Sequence, residues 1–168
     1  MTLIRQAVSD ADIAVVAQMG WDYRAHVASI SPVEAELMET FYPIPKYTKL
    51  MDTLATAHAR PRGIILLAEI DGTPVGCAMT HALDETTAEI KRLYVTDAAR
   101  GHGVAAKLIH ALMDQARKDG YTRVVLDTSK NLTPARALYA KLGFVERGPY
   151  QDIPDTALPH LVFFEAAL

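Results

Sequence analysis

The sequence predicts a single α/β domain over residues 1–168, in which helices flank a mixed, mostly antiparallel sheet. Half of the residues are apolar, strand-like segments are joined by a tight-turn signal, and helical and strand patterns follow one another along the chain. A chain of this length buries one substantial core but is short for two independent domains. Counting the strand-like segments, we expect about six to seven strands.

The N-terminal part of the chain is predicted to be one strand followed by helices. Leu3–Val8 alternates weakly between apolar and polar residues, and a ragged helical periodicity then runs toward His26. Ser31 and the proline after it mark a second helix start, because proline is tolerated in a first turn, and Tyr42–Pro45 ends that helix. Tyr47–Ala59 is predicted as a third helical segment.

A β-hairpin is predicted in the middle of the chain. Gly63–Ile70 and Pro74–Leu83 have strand-like patterns, and Asp71-Gly72 between them supplies the positive φ angles that tight hairpin turns need. Thr87–Val95 is expected to pair as the next strand.

The second half of the chain begins with an amphipathic helix. From Val104 the apolar residues recur every three to four positions until Gly120, which places one apolar stripe against the sheet. Val124–Leu126 is a short continuous apolar run, as expected of a central strand covered on both faces. Three short elements complete the prediction: a helix over Thr133–Leu142, and strands over Phe144–Arg147 and Leu158–Ala166.

Composition and charge exclude several classes of function. The net charge of −3, without a Lys/Arg cluster among aromatic residues, argues against a nucleic-acid partner. Cys77 is the only cysteine, which excludes an internal disulfide and a cysteine metal cluster, and the histidine spacing suggests no metal site. The first residues lack a charged leader with an apolar block, and no apolar run is long enough to span a membrane. We therefore expect a soluble, cytoplasmic protein without a membrane partner that acts on small molecules.

The segment Arg100–Ala105 has the composition of an anion-binding turn. Gly101 and Gly103 remove the side chains that would keep an anion from the backbone, and the first N–H groups of the following helix have no internal partner. Main-chain N–H groups can therefore hold a pyrophosphate there, and Arg100 adds a fixed positive charge.

A dinucleotide-binding fold and a P-loop are the competing interpretations of this turn. Residues 101–106 satisfy G-x-G-x-x-A, and Asp127 lies where an acid binds a ribose in such folds. However, five residues (Thr96–Arg100) separate the strand from the first glycine, hairpin signals precede it, and too little chain follows Asp127 for a second nucleotide-binding half. The P-loop interpretation fails because Gly-Lys-Ser/Thr is missing.

Three motifs, in order, resemble those of the GCN5-related N-acetyltransferase (GNAT) family. Residues 100–105 resemble its R/Q-x-x-G-x-G/A acetyl-CoA signature, residues 135–144 (A-x-x-L-Y-x-K-x-G-F) its later helix-and-strand signature, and residues 89–95 the strand before the pyrophosphate loop. The resemblance implies a GNAT-like sheet, splayed between its fourth and fifth strands, and an N-acetyltransferase that uses acetyl-CoA, releases coenzyme A and needs no metal. One departure is that many members have asparagine where this chain has Leu132, with Asn131 one position earlier.

The resemblance also implies roles for individual residues. Tyr139 would protonate the departing thiolate of coenzyme A, since a phenol with a pKa of about 10 is protonated at neutral pH. Glu89 would accept the proton of the amine, directly or through a water. The plain alternatives are that Tyr139 is a packed helix residue and that Glu89 pairs with a nearby cation such as Lys91 or Arg92. The expected acetyl-CoA-binding residues are Leu93, Tyr94, Val95, Arg100, Gly101, His102, Gly103, Val104, Ala105 and Asn131.

The acceptor is expected to be the amine of a small molecule, which attacks directly in a ternary complex. Residues 21–47 and the proline-bearing loop after Tyr150 contain the aromatic, irregular stretches that are typical of pocket walls. Arg24, Lys91 and Arg92 either favour an acceptor with a carboxylate, such as an amino acid, or are ordinary surface charges. A noncatalytic acyl-CoA-binding sensor and a peptide or protein N-acetyltransferase are the other functions left open. The sequence does not fix the oligomeric state and leaves a homodimer open.

Overall fold

Seven strands form one sheet in the computed structural model, which describes residues 1–168. The strands are β1 (Thr2–Gln6), β2 (Ile64–Ile70), β3 (Thr73–Ala82), β4 (Thr87–Val95), β5 (Arg123–Ser129), β6 (Val145–Arg147) and β7 (Leu161–Ala167). Their spatial order is β1-β2-β3-β4-β5-β7-β6, and β4 and β5 are parallel whereas all other neighbours are antiparallel. The predicted mixed, mostly antiparallel fold class is confirmed. The single-domain organisation stays a prediction, which one continuous sheet supports.

Six helices connect and cover the strands. They are α1 (Asp10–Ala28), α2 (Pro32–Phe41), α3 (Ile44–Asp52), α4 (Leu54–Ala57), α5 (Val104–Lys118) and α6 (Thr133–Lys141). Ser9 and Asp12 form a capping box at the start of α1, and Ser31 caps α2, whose first residue is Pro32. None of these helices has a stretch long and apolar enough to cross a bilayer.

The two faces of the sheet have separate apolar cores. On one face, the predicted stripe of α5 places Leu108, Ile109 and Leu112 against β2 to β5, where all three are completely buried. Helix α6 packs on the same face. On the other face, α1 and α3 contribute Val16 and Tyr47 to a second core that includes β2 and β3.

The sheet splits between β4 and β5. Their parallel pairing joins Thr87–Glu89 to Arg123–Val125 and stops there. Beyond Glu89, β4 pairs with β3 on one side and with no strand on the other. An unpaired strand side presents free backbone N–H and C=O groups, so the split creates a polar edge inside the sheet. The splay expected between the fourth and fifth strands is confirmed.

The structure differs from the predicted element bounds mainly in two elements. The third helical segment, predicted over Tyr47–Ala59, starts at Ile44 and ends at Ala57, and it is two pieces, since α3 ends at Asp52 and α4 starts at Leu54. The last strand starts at Leu161 rather than at Leu158, because Leu158–His160 forms a 3₁₀ turn and Pro159 has no N–H to give to a sheet ladder.

Candidate active site

A cleft of about 250 Å³ opens where β4 and β5 separate, and we call it the splay cleft. Its walls come from α1, the outer half of β4, β5, the turn before α5, and α6. Six residues predicted for the site line it: Leu93, Tyr94, Val95, Arg100, Ala105 and Tyr139.

The predicted anion-binding turn lies at the start of α5. Gly101 and Gly103 have φ angles of 79° and 74°, a region that residues with a Cβ seldom adopt. The backbone N–H groups of residues 101–106 donate to no acceptor in the protein, whereas the N–H of Lys107 already bonds the carbonyl of Gly103 at 3.2 Å. A turn with consecutive free N–H groups at a helix N-terminus is suited to a phosphate. The structure therefore fits the pyrophosphate-binding role that we predicted, and the role itself stays a prediction.

Arg100 lies at the mouth of the cleft beside this turn. Its Nε donates to the carbonyl of Val95 at 3.2 Å, and its guanidinium pairs with Asp97 at 2.7 Å. The side chain is 42% exposed, so solvent and a bound anion can both reach it. His102 is exposed, and its Nδ1 lies 3.0 Å from the carbonyl of Arg100.

Tyr139 lies on α6, where its ring packs in the apolar core and the residue also lines the splay cleft. The ring packs against Phe144 and Phe164, with centroids 5.7 and 5.6 Å away, and the residue is 7% exposed. Burial raises the pKa of Tyr139, and the nearby charge of Asp127 raises it further, so the phenol keeps its proton at neutral pH. Both interpretations of this tyrosine are compatible with that position.

Glu89 is 1% exposed and fully engaged inside the protein. One carboxylate oxygen lies 2.7 Å from Nε2 of His81, and the other accepts a 2.5 Å hydrogen bond from the Tyr150 hydroxyl and lies 3.4 Å from Nζ of Lys91. Burial would raise the pKa of Glu89, but the bond to His81, the charge of Lys91 and the bond from Tyr150 together lower it. Glu89 lines neither the splay cleft nor the neighbouring pocket described below. The ion-pair alternative thus has direct support, and the role as base stays a prediction.

Asn131 does not line the splay cleft. Its side-chain amide donates to Glu34 of α2 at 2.8 Å, and the Ser129 hydroxyl donates to the same oxygen at 2.6 Å. Glu34 is completely buried, so Asn131 helps to tie α2 to the end of β5. A contact of Asn131 with the pantetheine arm would compete with this bond, and it stays an untested prediction. Sequence alone gave no sign of the Glu34 partner, because α2 and Asn131 are far apart in the chain.

A second cavity of about 100 Å³ adjoins the splay cleft, and we call it the aromatic pocket. Its wall includes aromatic residues from α1, from the end of α2, from the α2–α3 connection and from α3. Two cations of β4 and one carboxylate of β5 also line it. These residues are Tyr23, Phe41, Tyr42, Tyr47, Lys91, Arg92 and Asp127. Gln151 and Ile153, from the loop after Tyr150, complete the wall. Both chain segments expected to form pocket walls therefore do so.

A β-bulge in β4 aims Arg92 into the aromatic pocket. Cys77 pairs with Tyr94 and Met79 with Lys91, so two residues of β4 oppose one residue of β3. Arg92 sits in this bulge with a φ of 51°, and its guanidinium carbon lies 5.8 and 5.7 Å from the ring centroids of Tyr42 and Tyr47. No carboxylate pairs with it in the structure. The pocket thus holds a cation stacked on aromatic rings that is free to meet an anion.

Other residues named from the sequence have structural roles or lie elsewhere. Arg24 bonds Glu39 at 2.7 Å and the carbonyl of Tyr42 at 3.0 Å, so it supports the pocket wall and is not free for an acceptor. Trp21 packs edge-on against Tyr47, and His26 lines the splay cleft.

The sequence analysis missed Asp127 as a site residue of this fold. Asp127 lies on β5 just past the last residue pair with β4, and it lines both the splay cleft and the aromatic pocket. Burial raises the pKa of Asp127, whereas the charge of Lys91 opposes that rise. The signal that could have found it is its position directly after the apolar run Val124–Leu126, which the sequence analysis interprets only as the position of a ribose-binding acid.

A family model described as the acetyltransferase (GNAT) family matches residues 32–144, which is more than half of the chain. An uncharacterised N-acetyltransferase of Schizosaccharomyces pombe is 36% identical over 105 residues, a match that spans 61% of this chain and 63% of that relative. An IAA acetyltransferase of Azospirillum brasilense is 29% identical over 132 residues, spanning 74% of this chain and 86% of the relative.

Solved structures are similar over almost the entire chain. An N-acetyltransferase of Thermoplasma acidophilum in complex with coenzyme A has a TM-score of 0.73 at 17% identity, covering 100% of this chain and 99% of that one. An acetyltransferase of Salmonella typhimurium with acetyl-CoA has a TM-score of 0.67 at 20% identity, covering 99% and 93%. At these identities the similarity is one of fold.

Proposed function

Because the chain belongs to the GNAT acetyltransferase family, we propose that it transfers the acetyl group of acetyl-CoA to the amine of a small molecule. The proposal depends above all on one observation, the free N–H groups of residues 101–106 at the end of a cleft that splits the sheet. One relative named as an N-acetyltransferase and another named as an acetyltransferase support acetyl transfer. The expected cytoplasmic location and a homodimer stay predictions.

Bound acetyl-CoA would supply the acetyl group as a thioester. The turn of residues 101–106 and the guanidinium of Arg100 would hold its pyrophosphate, because free N–H groups and a fixed cation complement an anion. The unpaired side of β4, over Leu93–Val95, would bind the amides of the pantetheine arm and offer an N–H to the acetyl carbonyl oxygen. The lining of the cleft supports this arrangement, since it combines the unpaired edge of β4 with mostly apolar side chains.

Tyr139 would act as the acid of the reaction. Tyr139 lines the cleft and its phenol keeps its proton at neutral pH, so it would give that proton to the departing sulfur. Glu89 stays the sequence candidate for the base, and it would have to act through Tyr150 or a water because it lies behind the cavity walls.

The acceptor would be an amine that also has a carboxylate, as in an amino acid. Support comes from Lys91 and Arg92 in the aromatic pocket, and from the absence of an acidic partner for Arg92. A carboxylate beside Arg92 would leave the amine free to point into the splay cleft, since the two cavities share part of their walls. The aromatic rings favour an acceptor with an apolar body.

A thiol-release assay tests the proposed function. Purified protein would be mixed with acetyl-CoA and a panel of amino acids, matched amines without a carboxylate, and short peptides. We expect release of coenzyme A thiol with at least one amino acid and weaker release with its decarboxylated partner. Coenzyme A-dependent thermal stabilisation without any thiol release would instead indicate a noncatalytic acyl-CoA sensor. Turnover with peptides alone would replace the small-molecule acceptor by a peptide.

A further inference from the structure

Three charged side chains stand where the splay cleft and the aromatic pocket meet. They are Lys91, Arg92 and Asp127, each of which lines both cavities. The cleft would present the thioester and the pocket the amine, so their junction is where the two reactants would meet. Asp127 is the only carboxylate at this junction.

Asp127 and Glu89 differ in their hydrogen-bond and ion-pair partners. The Asp127 carboxylate takes part in no ion pair, and its hydrogen-bonding neighbour is the side-chain amide of Gln151 in the loop after Tyr150. Glu89, in contrast, is saturated by His81, Tyr150 and Lys91. Burial makes Asp127 a stronger base than an ordinary aspartate, whereas the partners of Glu89 make that group a weaker one.

We infer that Asp127 accepts the proton of the acceptor's ammonium group, and that Glu89 is a positioning residue that holds Lys91 and His81. This inference rests on the proposed function. In the step, an N–H bond of the ammonium breaks and its proton joins a carboxylate oxygen of Asp127, which leaves a neutral amine and a neutral carboxylic acid. The proton then leaves to solvent after turnover, through the open mouth of the cleft.

Lys91 assists this transfer electrostatically. Its ammonium is held beside Glu89 and lies 3.4 Å from the Tyr42 hydroxyl, at the wall of the pocket. A fixed positive charge disfavours a second one nearby, so an amine at the junction loses its proton more readily than in water.

The titratable and charged groups that face Asp127 from the surrounding elements are Lys91, Arg92 and Glu89 of β4, Tyr23 and His26 of α1, Tyr42, Tyr47, Tyr139 of α6, and Tyr150.

The test compares Asp127→Asn with Glu89→Gln, each of which removes one carboxylate charge at nearly constant size. Asp152→Asn is the matched control, since Asp152 is exposed in the adjacent loop and lines neither cavity. Initial rates of thiol release would be measured from about pH 5 to 10 with the best acceptor of the panel. Coenzyme A affinity by calorimetry and melting temperature against pH would be measured on the same proteins without acceptor.

We expect Asp127→Asn to lower kcat by about 10²–10⁴-fold, the usual contribution of a general base. Its remaining rate should rise tenfold per pH unit toward the pKa of the free amine, whereas the wild-type rate reaches a plateau earlier. Glu89→Gln should keep the wild-type pH profile at a lower rate. Coenzyme A affinity should be unchanged in Asp127→Asn, and Asp152→Asn should behave as wild type in every measurement.

The melting temperatures give a readout that does not depend on turnover. Because desolvation raises the pKa of Asp127 in the folded protein, its charged form costs stability, so Asp127→Asn should melt above wild type at pH 7 and the difference should vanish as acid protonates Asp127. Glu89→Gln should melt below wild type, because it removes the negative charge that pairs with Lys91 and replaces one of the two acceptor oxygens by an NH2 group. The inference is wrong if Glu89→Gln loses the pH plateau while Asp127→Asn keeps it, or if Asp127→Asn retains full activity. If wild type turns over no amine at all, the proposed function itself fails, and the melting profiles still report on Asp127.

Discussion

The glycine turn before α5 can be tested with a single methyl group. Gly103 has a φ of 74°, and a Cβ built on it would meet no protein atom within 4 Å. A Gly103→Ala protein therefore suffers no clash, and its whole penalty is the cost of holding an L-residue in the left-handed region, about 1–2 kcal/mol. The turn is free to relax before ligand binds, since the N–H groups of residues 101–106 bond nothing in the protein.

Binding of coenzyme A would force the turn back into the left-handed conformation, so the strain should appear as lost affinity. A cost of 1–2 kcal/mol corresponds to about a 5- to 30-fold weaker Kd. Isothermal calorimetry with coenzyme A measures this directly. The added methyl group also faces the bound anion if our placement is right, so the upper end of the range is expected.

Gly120, just after α5, provides the matched control. It has a φ of 92°, an equally open Cβ position, and an N–H bonded to the carbonyl of Arg117 at 3.1 Å. Gly120→Ala should lower the melting temperature, because its conformation is fixed by the fold, and it should leave the coenzyme A affinity unchanged. Equal affinities of wild type and Gly103→Ala, or equal losses in both variants, would refute the assignment of the anion site.

Three further variants test the proposed acid Tyr139, the buried histidine His58, and the buried Glu34 that ties α2 to the end of β5. Tyr139→Phe should reduce kcat by about 10²–10⁴-fold with unchanged coenzyme A affinity, and an unchanged thiol-release rate would leave Tyr139 a packing residue only. Burial lowers the pKa of His58 from 6.5 to about 4. As the pH falls from 6.5 to 4, the unfolded state therefore binds a proton that the folded state does not, and the unfolding free energy should decrease by about 3 kcal/mol. His58→Gln should lack that loss in urea titrations at each pH, and parallel curves for both proteins would disprove it. Glu34→Ala should lower the unfolding free energy by about 3 kcal/mol, because Ser31, Ser129 and Asn131 lose a buried acceptor; a change below 1 kcal/mol would contradict this.

Local patterns predicted the secondary structure well because each element is determined by residues close in sequence. The hairpin follows from Asp71-Gly72, and α5 follows from the spacing of its apolar residues between Val104 and Gly120. The errors fell where a local pattern meets a backbone constraint, as at Pro159, where a strand-like sequence becomes a 3₁₀ turn. The splay itself came from the family resemblance, since pairing between β4 and β5 joins segments that no local rule connects.

The site residues also divide into those determined by neighbours in sequence and those determined by distant contacts. The turn of residues 101–106 is contiguous, so its backbone geometry could be anticipated from glycine positions. The hydrogen-bonding partners of Glu89 could not be anticipated, because His81 comes from β3 and Tyr150 from a loop 61 positions later in the chain. A carboxylate on a strand next to Lys91 has the same sequence signature whether it faces a reactant or is enclosed by partners.

This distinction is why we infer that Asp127, and not Glu89, is the base of the proposed reaction. A base must bind the proton it removes and must reach it, and three existing partners leave Glu89 with little capacity for either. We expect Asp127 to meet both conditions because of two features of the folded chain: the β4–β5 pairing ends just before it, so that it lines both cavities, and burial raises its pKa. An acid at the point where two strands part is therefore the feature to seek in related sheets. If Asp127→Asn proves silent, that rule fails together with the inference.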